Sequence, residues 1–152
     1  MDVKLKVSGR IARPVHEVFE AVADPAKLSG YFTTGGAKGR LTTGATVTWD
    51  FADFPGAFPV HVVEVVDDKR IVLRWGAAEG AGADPSGETT VTMSFDPLDD
   101  GRTLVTITEA GWTETQQGLD ACVGNTEGWT GMLCAMKVYL EHGFNLREGF
   151  YK

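Results

Sequence analysis

Gln117-Gly118-Leu119-Asp120-Ala121-Cys122-Val123-Gly124-Asn125-Thr126-Glu127-Gly128-Trp129-Thr130-Gly131-Met132-Leu133-Cys134-Ala135-Met136-Lys137-Val138-Tyr139-Leu140 is the stretch that decides the fold. Leu119, Cys122, Val123, Thr126, Trp129, Met132, Leu133, Met136 and Leu140 recur at i, i+3, i+4 spacing. That period predicts one long amphipathic helix from about Thr115, stopped at Gly143. Gly124, Gly128 and Gly131 sit inside it, and each weakens a helix by roughly 1 kcal/mol relative to Ala. Two readings of them stand side by side: a smooth strip that another backbone or a ligand approaches, or a loosely wound first half.

Upstream of the helix the period is two. Val3, Leu5 and Val7 alternate with Lys4, Lys6 and Ser8, a half-buried strand running toward Ile11. Pro14 then opens a short helix through Val15, Val18, Phe19 and Val22. Asp24-Pro25 caps and starts a second one, completed by Lys27 to Gly30. After the loop Gly35-Gly36-Ala37-Lys38-Gly39, with a brief strand expected near residues 38–41, strands follow in series. They are Thr46–Phe51; Phe58–Val66 after an expected Pro55-Gly56 turn; and a strand carrying Ile71, Leu73 and Trp75 on one face. The next carries Thr89, Val91, Met93 and Phe95, and the last Val105, Ile107 and Glu109. Gly76 to Gly87 reads as a flexible loop, and Asp99-Asp100-Gly101 as a turn.

Strand, two short helices, about six strands and one long helix define an α+β chain with an antiparallel sheet. At 152 residues it is expected to be a single domain, residues 1–152. A sheet with one apolar face needs a cover, and the only long cover is the last helix. A curved sheet around one helix encloses space, which favours an apolar pocket with a few polar groups.

Composition narrows the function. Fourteen Lys+Arg against 21 Asp+Glu give a net charge of −7, with no basic run to hold nucleic acid or an anionic membrane. No apolar run reaches the roughly 18–20 residues of a membrane span. The start, Met1 to Lys6, lacks a signal-peptide block. The expected location is the cytoplasm. Cys122 and Cys134 lie about 18 Å apart along one helix, too far to form a disulfide with each other. No phosphate loop, nucleophile elbow or His-Glu-x-x-His run is present. No cofactor and no metal site are expected.

Several segments together resemble the START-like, or Bet v 1-like (SRPBCC), superfamily. They are Ile11-Ala12-Arg13-Pro14-Val15-His16-Glu17-Val18-Phe19, Asp67-Asp68-Lys69-Arg70-Ile71-Val72-Leu73-Arg74-Trp75 and Gly101-Arg102-Thr103-Leu104-Val105-Thr106-Ile107-Thr108-Glu109-Ala110-Gly111-Trp112. Glu127-Gly128-Trp129 with Tyr139-Leu140-Glu141 resembles the subfamily named after the activator of Hsp90 ATPase. The resemblance covers nearly the whole chain, and its motifs are mostly structural, so they speak to fold more than to activity. It implies the helix-grip fold: a curved seven-stranded antiparallel sheet around a long C-terminal helix, with a cavity for apolar ligands. It also implies a link to the stress response and a possible chaperone partner. The eukaryotic co-chaperone carries a further N-terminal domain that engages Hsp90. This chain opens on the first strand, so ATPase activation is not expected of it.

Candidate site residues follow from the inner faces. Trp49, Phe51, Trp75, Phe95, Trp112 and Trp129 are expected to line the interior, with Met93 beside Phe95 and with Thr126 and Leu133 from the helix. Tyr31 and Phe32 would form part of the mouth. Glu109 is the sharpest polar candidate, because a carboxylate among apolar walls needs donors or a function. His61 could join it as a catalytic pair if it points inward. The faces of its strand, His61, Val63 and Val65 against Val60, Val62, Glu64 and Val66, do not decide this. His16 and His142 lack partners at ligand spacing. Three functions remain open: a carrier or sensor of a small apolar molecule; a cyclase- or hydrolase-type enzyme using Glu109; and an interaction module, including a homodimer.

Overall fold

The computed structural model describes all residues, Met1–Lys152. Strand β1 (Lys4–Ile11) leads to helices α1 (Val15–Ala23) and α2 (Pro25–Leu28). Strands β2 (Gly36–Lys38), β3 (Thr46–Phe51), β4 (Phe54–Val66), β5 (Arg70–Gly76), β6 (Glu88–Pro97) and β7 (Thr103–Ala110) follow, and α3 (Gln116–His142) ends the regular structure. The seven strands form one antiparallel sheet in the order β1-β7-β6-β5-β4-β3-β2. This is the expected helix-grip arrangement. No helix is long and apolar enough to cross a membrane.

The core forms where the alternating apolar faces meet the helices. Ile71, Leu73, Val91, Met93, Phe95, Val105 and Ile107 are all buried in one core that also takes in Phe19 of α1 and Met132 and Met136 of α3. Capping follows the sequence signals. Asp24 accepts from the Ala26 N–H at 2.9 Å, Thr115 accepts from Gly118 at 3.2 Å, and Gly143 ends α3 at φ 76°.

Four readings need correction. The β3–β4 connection is Ala52-Asp53, not Pro55-Gly56, because Phe51 and Phe54 already pair across a two-residue turn. Gly56 lies inside β4 at φ 135°. The brief strand is Gly36–Lys38, placed by its pairing with Thr48–Asp50. Leu119 and Val123 do not join the buried face of α3 but are exposed, because the first turns of α3 turn Cys122 inward instead. His61 points outward: Val60 and Val62 take the core side, and His61 contacts Thr46 and Glu88 at 3.1 Å each. It cannot pair with Glu109. A bulge between Val62 and Glu64 leaves Val63 exposed and returns Val65 to the core side. That change of phase is why alternation could not choose a face.

Candidate functional site

Strand register brings the site together from separate segments. Trp75 on β5 pairs with Thr89 on β6, and Val91 pairs with Glu109 on β7, so Trp75, Thr89 and Glu109 share one end of the inner face. Asn125 and Trp129 lie four residues apart on α3 and project to the same side. Their donors meet at Glu109, whose residue is 1% exposed. The Trp129 indole N–H donates to Oε1 at 2.7 Å and the Trp75 indole N–H to Oε2 at 2.9 Å. Thr89 Oγ1 donates to Oε2 at 2.6 Å, and Asn125 Nδ2 reaches both oxygens at 3.0 and 3.1 Å. An indole N–H can only donate, so both carboxylate oxygens act as acceptors and are fully engaged. Burial of this carboxylate is compensated by neutral donors, with no cation in the set.

Cys122, one helical turn from Asn125, has its thiol pushed up by burial and then by the neighbouring Glu109 charge. That disfavours the reactive thiolate. Cys134 is exposed, and the two thiols are free.

Around Glu109 the rings pack on one another. Trp75 and Trp129 lie 5.2 Å apart between centroids, Phe32 stacks on Trp129 at 5.7 Å, and Trp49 meets Phe32 and Trp75 edge-on at 5.7 and 5.9 Å. The space between sheet and helix at this level is therefore filled, and no enclosed chamber sits around the carboxylate. What remains open lies on the flank. A cleft of about 340 Å³ is bordered by Phe32, Phe51, Trp75, Gly124, Gly128 and Trp129. A second, of about 370 Å³, continues past Phe51, Trp75, Gly124 and Asn125 to Phe58 and Trp112. A Cβ at Gly124 or Gly128 would meet nothing within 4 Å, so these two glycines lower the helix wall of the cleft. Gly131 differs: a Cβ there would collide with Tyr151 Oη, because the C-terminal tail crosses it.

The expected site residues divide accordingly. Phe32, Phe51, Trp75 and Trp129 border the first cleft, and Trp112 borders the second with its buried indole N–H unpaired. Thr126 faces a separate groove of about 440 Å³ between α3 and the tail. Tyr31, Trp49, Met93, Phe95 and Leu133 belong to the sealed core rather than to an opening. Burial raises the Tyr31 phenol, which donates to the Ala21 carbonyl at 2.9 Å. Thr89 and Asn125 were missed by sequence reading. Their signals were present: Thr89 is the polar end of an otherwise apolar alternating face, and Asn125 sits one turn before Trp129.

The fold and the buried polar cluster define a START-like, helix-grip protein. Residues 12–141 match the family described as activator of Hsp90 ATPase homolog 1-like protein, and the chain belongs to that family. Among solved structures it is similar to protein SSP2350 from Staphylococcus saprophyticus, with 30% identity and a TM-score of 0.76, over 97% of this chain and 96% of that one. It is also similar to DynU16, a protein of the dynemicin biosynthetic locus, at 27% identity and a TM-score of 0.77; this chain aligns over 94% of its length with 49% of DynU16. The Aha1 dimer from Colwellia psychrerythraea shares the fold at 21% identity and a TM-score of 0.75, over 93% of this chain and 98% of that one. No curated protein matches the sequence.

Proposed function

We propose that this protein binds a small hydrophobic or amphipathic molecule in the open cleft beside Gly124 and Gly128, as a carrier or sensor. One observation carries the reading: α3 presents two bare glycines to a wall of Phe32, Phe51, Trp75 and Trp129 where side chains would otherwise close the space. Apolar area removed from water there supplies affinity, at about 25 cal/mol per Å². The ligand lies on the flank of the aromatic wall instead of in a central chamber. Glu109 then acts through the wall: by accepting from Trp75 and Trp129 it fixes the tilt of both rings. Its complete set of donors favours this positioning role over acid–base chemistry.

Titration with the neutral dye Nile red tests the reading. Saturable binding near one dye per chain is expected, and Gly128→Leu should weaken it at least about tenfold while preserving the circular dichroism spectrum. Equal binding by wild type and Gly128→Leu would refute the cleft as the site.

A homodimer is a separate proposal, supported by the exposed Leu119 and Val123 on α3. Sedimentation velocity would give a dimer for the wild type and a monomer for Val123→Glu. A dimer that persists in Val123→Glu would remove this surface from consideration.

A further inference from the structure

The tail after α3 carries a cation into the aromatic mouth of the cleft. The Arg147 guanidinium lies 4.5 Å from the centroid of Phe51, 5.1 Å from that of Tyr151 and 5.6 Å from that of Phe32. Phe32 in turn stacks on Trp129, so the cation caps the outer end of the ring stack. Cations over aromatic faces gain from the ring quadrupole, most when water is excluded. Here it is largely excluded, since the Arg147 and Asp53 side chains are only 9% and 10% exposed.

The pairing with Asp53 is incomplete. Arg147 Nη2 and Nε donate to Oδ1 at 3.1 and 3.4 Å. Asp53 Oδ2 lies 3.1 Å from Nε but receives no aligned hydrogen bond, although it is buried. The parallel two-oxygen fork that a guanidinium can make with a carboxylate is therefore not achieved. The tail is also the partition between two openings: Arg147 and Tyr151 border both the 340 Å³ cleft and the 440 Å³ groove.

We propose that this mouth is a receptor for an organic cation, a guanidinium or ammonium on an apolar body, and that Arg147 is a tethered stand-in for it. The proposal rests on the cleft reading above and specifies its ligand class. A neutral ligand that displaced Arg147 would strand the Asp53 carboxylate in an aromatic surround, which is costly. A ligand bringing its own cation replaces both the ion pair and the ring contacts. With Arg147 withdrawn, the carboxylates at the mouth are Glu127, which borders the cleft, and Asp53, the partner Arg147 leaves behind; the Tyr151 phenol also borders the cleft, and the one cation still near is Lys152, 4.6 Å over the Phe54 ring. The net charge of −7 adds a long-range bias in the same direction.

The test compares phenethylguanidinium with its neutral near-isostere phenethylurea, read by tryptophan emission on the full chain. Arg147→Ala should bind the guanidinium at least about tenfold more tightly than the urea. Wild type should bind the guanidinium more weakly than the variant, because its own arginine competes. Arg147→Ala combined with Asp53→Asn should lose the preference. Arg147→Gln serves the same comparison if the alanine variant does not fold. Equal affinity for the two compounds, or a preference that survives Asp53→Asn, overturns the cation proposal. Where Nile red binds the wild type and the preference is absent, only this inference fails. Where neither the dye nor either compound binds, the cleft reading fails and takes this inference with it.

Discussion

The two halves of α3 face the same sheet in opposite ways. From Met132 to Met136 the helix presents Met132, Leu133, Ala135 and Met136, all buried, with Leu133 seated close to Gly9 of β1. From Gly118 to Trp129 it presents Cys122, Asn125 and Trp129 to Glu109, with Gly124 and Gly128 facing open space. The second half closes a core by apolar volume. The first half is held by directed hydrogen bonds, which fix ring positions without filling the flank. A helix can therefore serve as core and as cleft wall within one continuous element, the change being set by side-chain size and not by the backbone.

The largest test of this contrast truncates one buried side chain in each region. Trp129→Ala deletes the contacts with Phe32 and Trp75 and one Glu109 donor, and should cost about 4 kcal/mol, with loss of dye binding. Met136→Ala should cost about 3 kcal/mol and leave dye binding intact. Thermal melts with Nile red titrations separate the two, and equal effects on binding would erase the distinction between the halves.

Glu109→Gln comes next. An amide cannot accept at both former oxygens, so its NH₂ meets indole or hydroxyl donors, and a loss of about 2 kcal/mol is expected in urea unfolding. An unchanged stability would mean that the donor cluster contributes nothing.

Two glycines of α3 give effects of opposite sign. Gly118→Ala drives a Cβ into the Thr113 carbonyl oxygen and should destabilise by about 1–3 kcal/mol. Gly124→Ala meets no atom within 4 Å and should stabilise by about 0.5–1 kcal/mol. A destabilised Gly124→Ala in chemical denaturation would contradict the open-wall description, and a stabilised Gly118→Ala would contradict the close approach of Thr113.

The smallest effect is electrostatic. Arg40 forks onto Glu20 with two bonds of 2.7 Å. This hydrogen bonding, opposed by burial and aided by the Arg40 charge, holds the Glu20 carboxyl below its ordinary 4.5. A lowered folded-state value gives stability that is present above pH 4.5 and disappears as pH falls through the depressed value. Arg40 is 44% exposed, so under about 1 kcal/mol is expected. Glu20→Gln should flatten that part of the stability–pH curve; an identical curve would show the pair to be neutral.

Most of the sheet was legible because alternation survives wherever one face is buried. Val105-Thr106-Ile107-Thr108-Glu109 gave both the strand and the inward carboxylate. β4 was ambiguous because the bulge at Val63 changes the phase of its pattern. The glycine strip was visible, but only structure separates Gly131, crossed by Tyr151, from Gly124 and Gly128. The donor cluster escaped because it is assembled from three strands and one helix, and no local spacing records it. Residues 144–152 carry no period at all, so their return onto Phe51 and Asp53 depends wholly on tertiary contacts.

The most direct test of the cleft uses the four tryptophan indole resonances in a ¹H–¹⁵N spectrum. Added Nile red should shift the indole signals of Trp75 and Trp129, while the backbone amides of Met93 and Phe95 stay in place. Shifts confined to the exposed face around Leu119 and Val123, with Trp75 and Trp129 unmoved, would contradict the account.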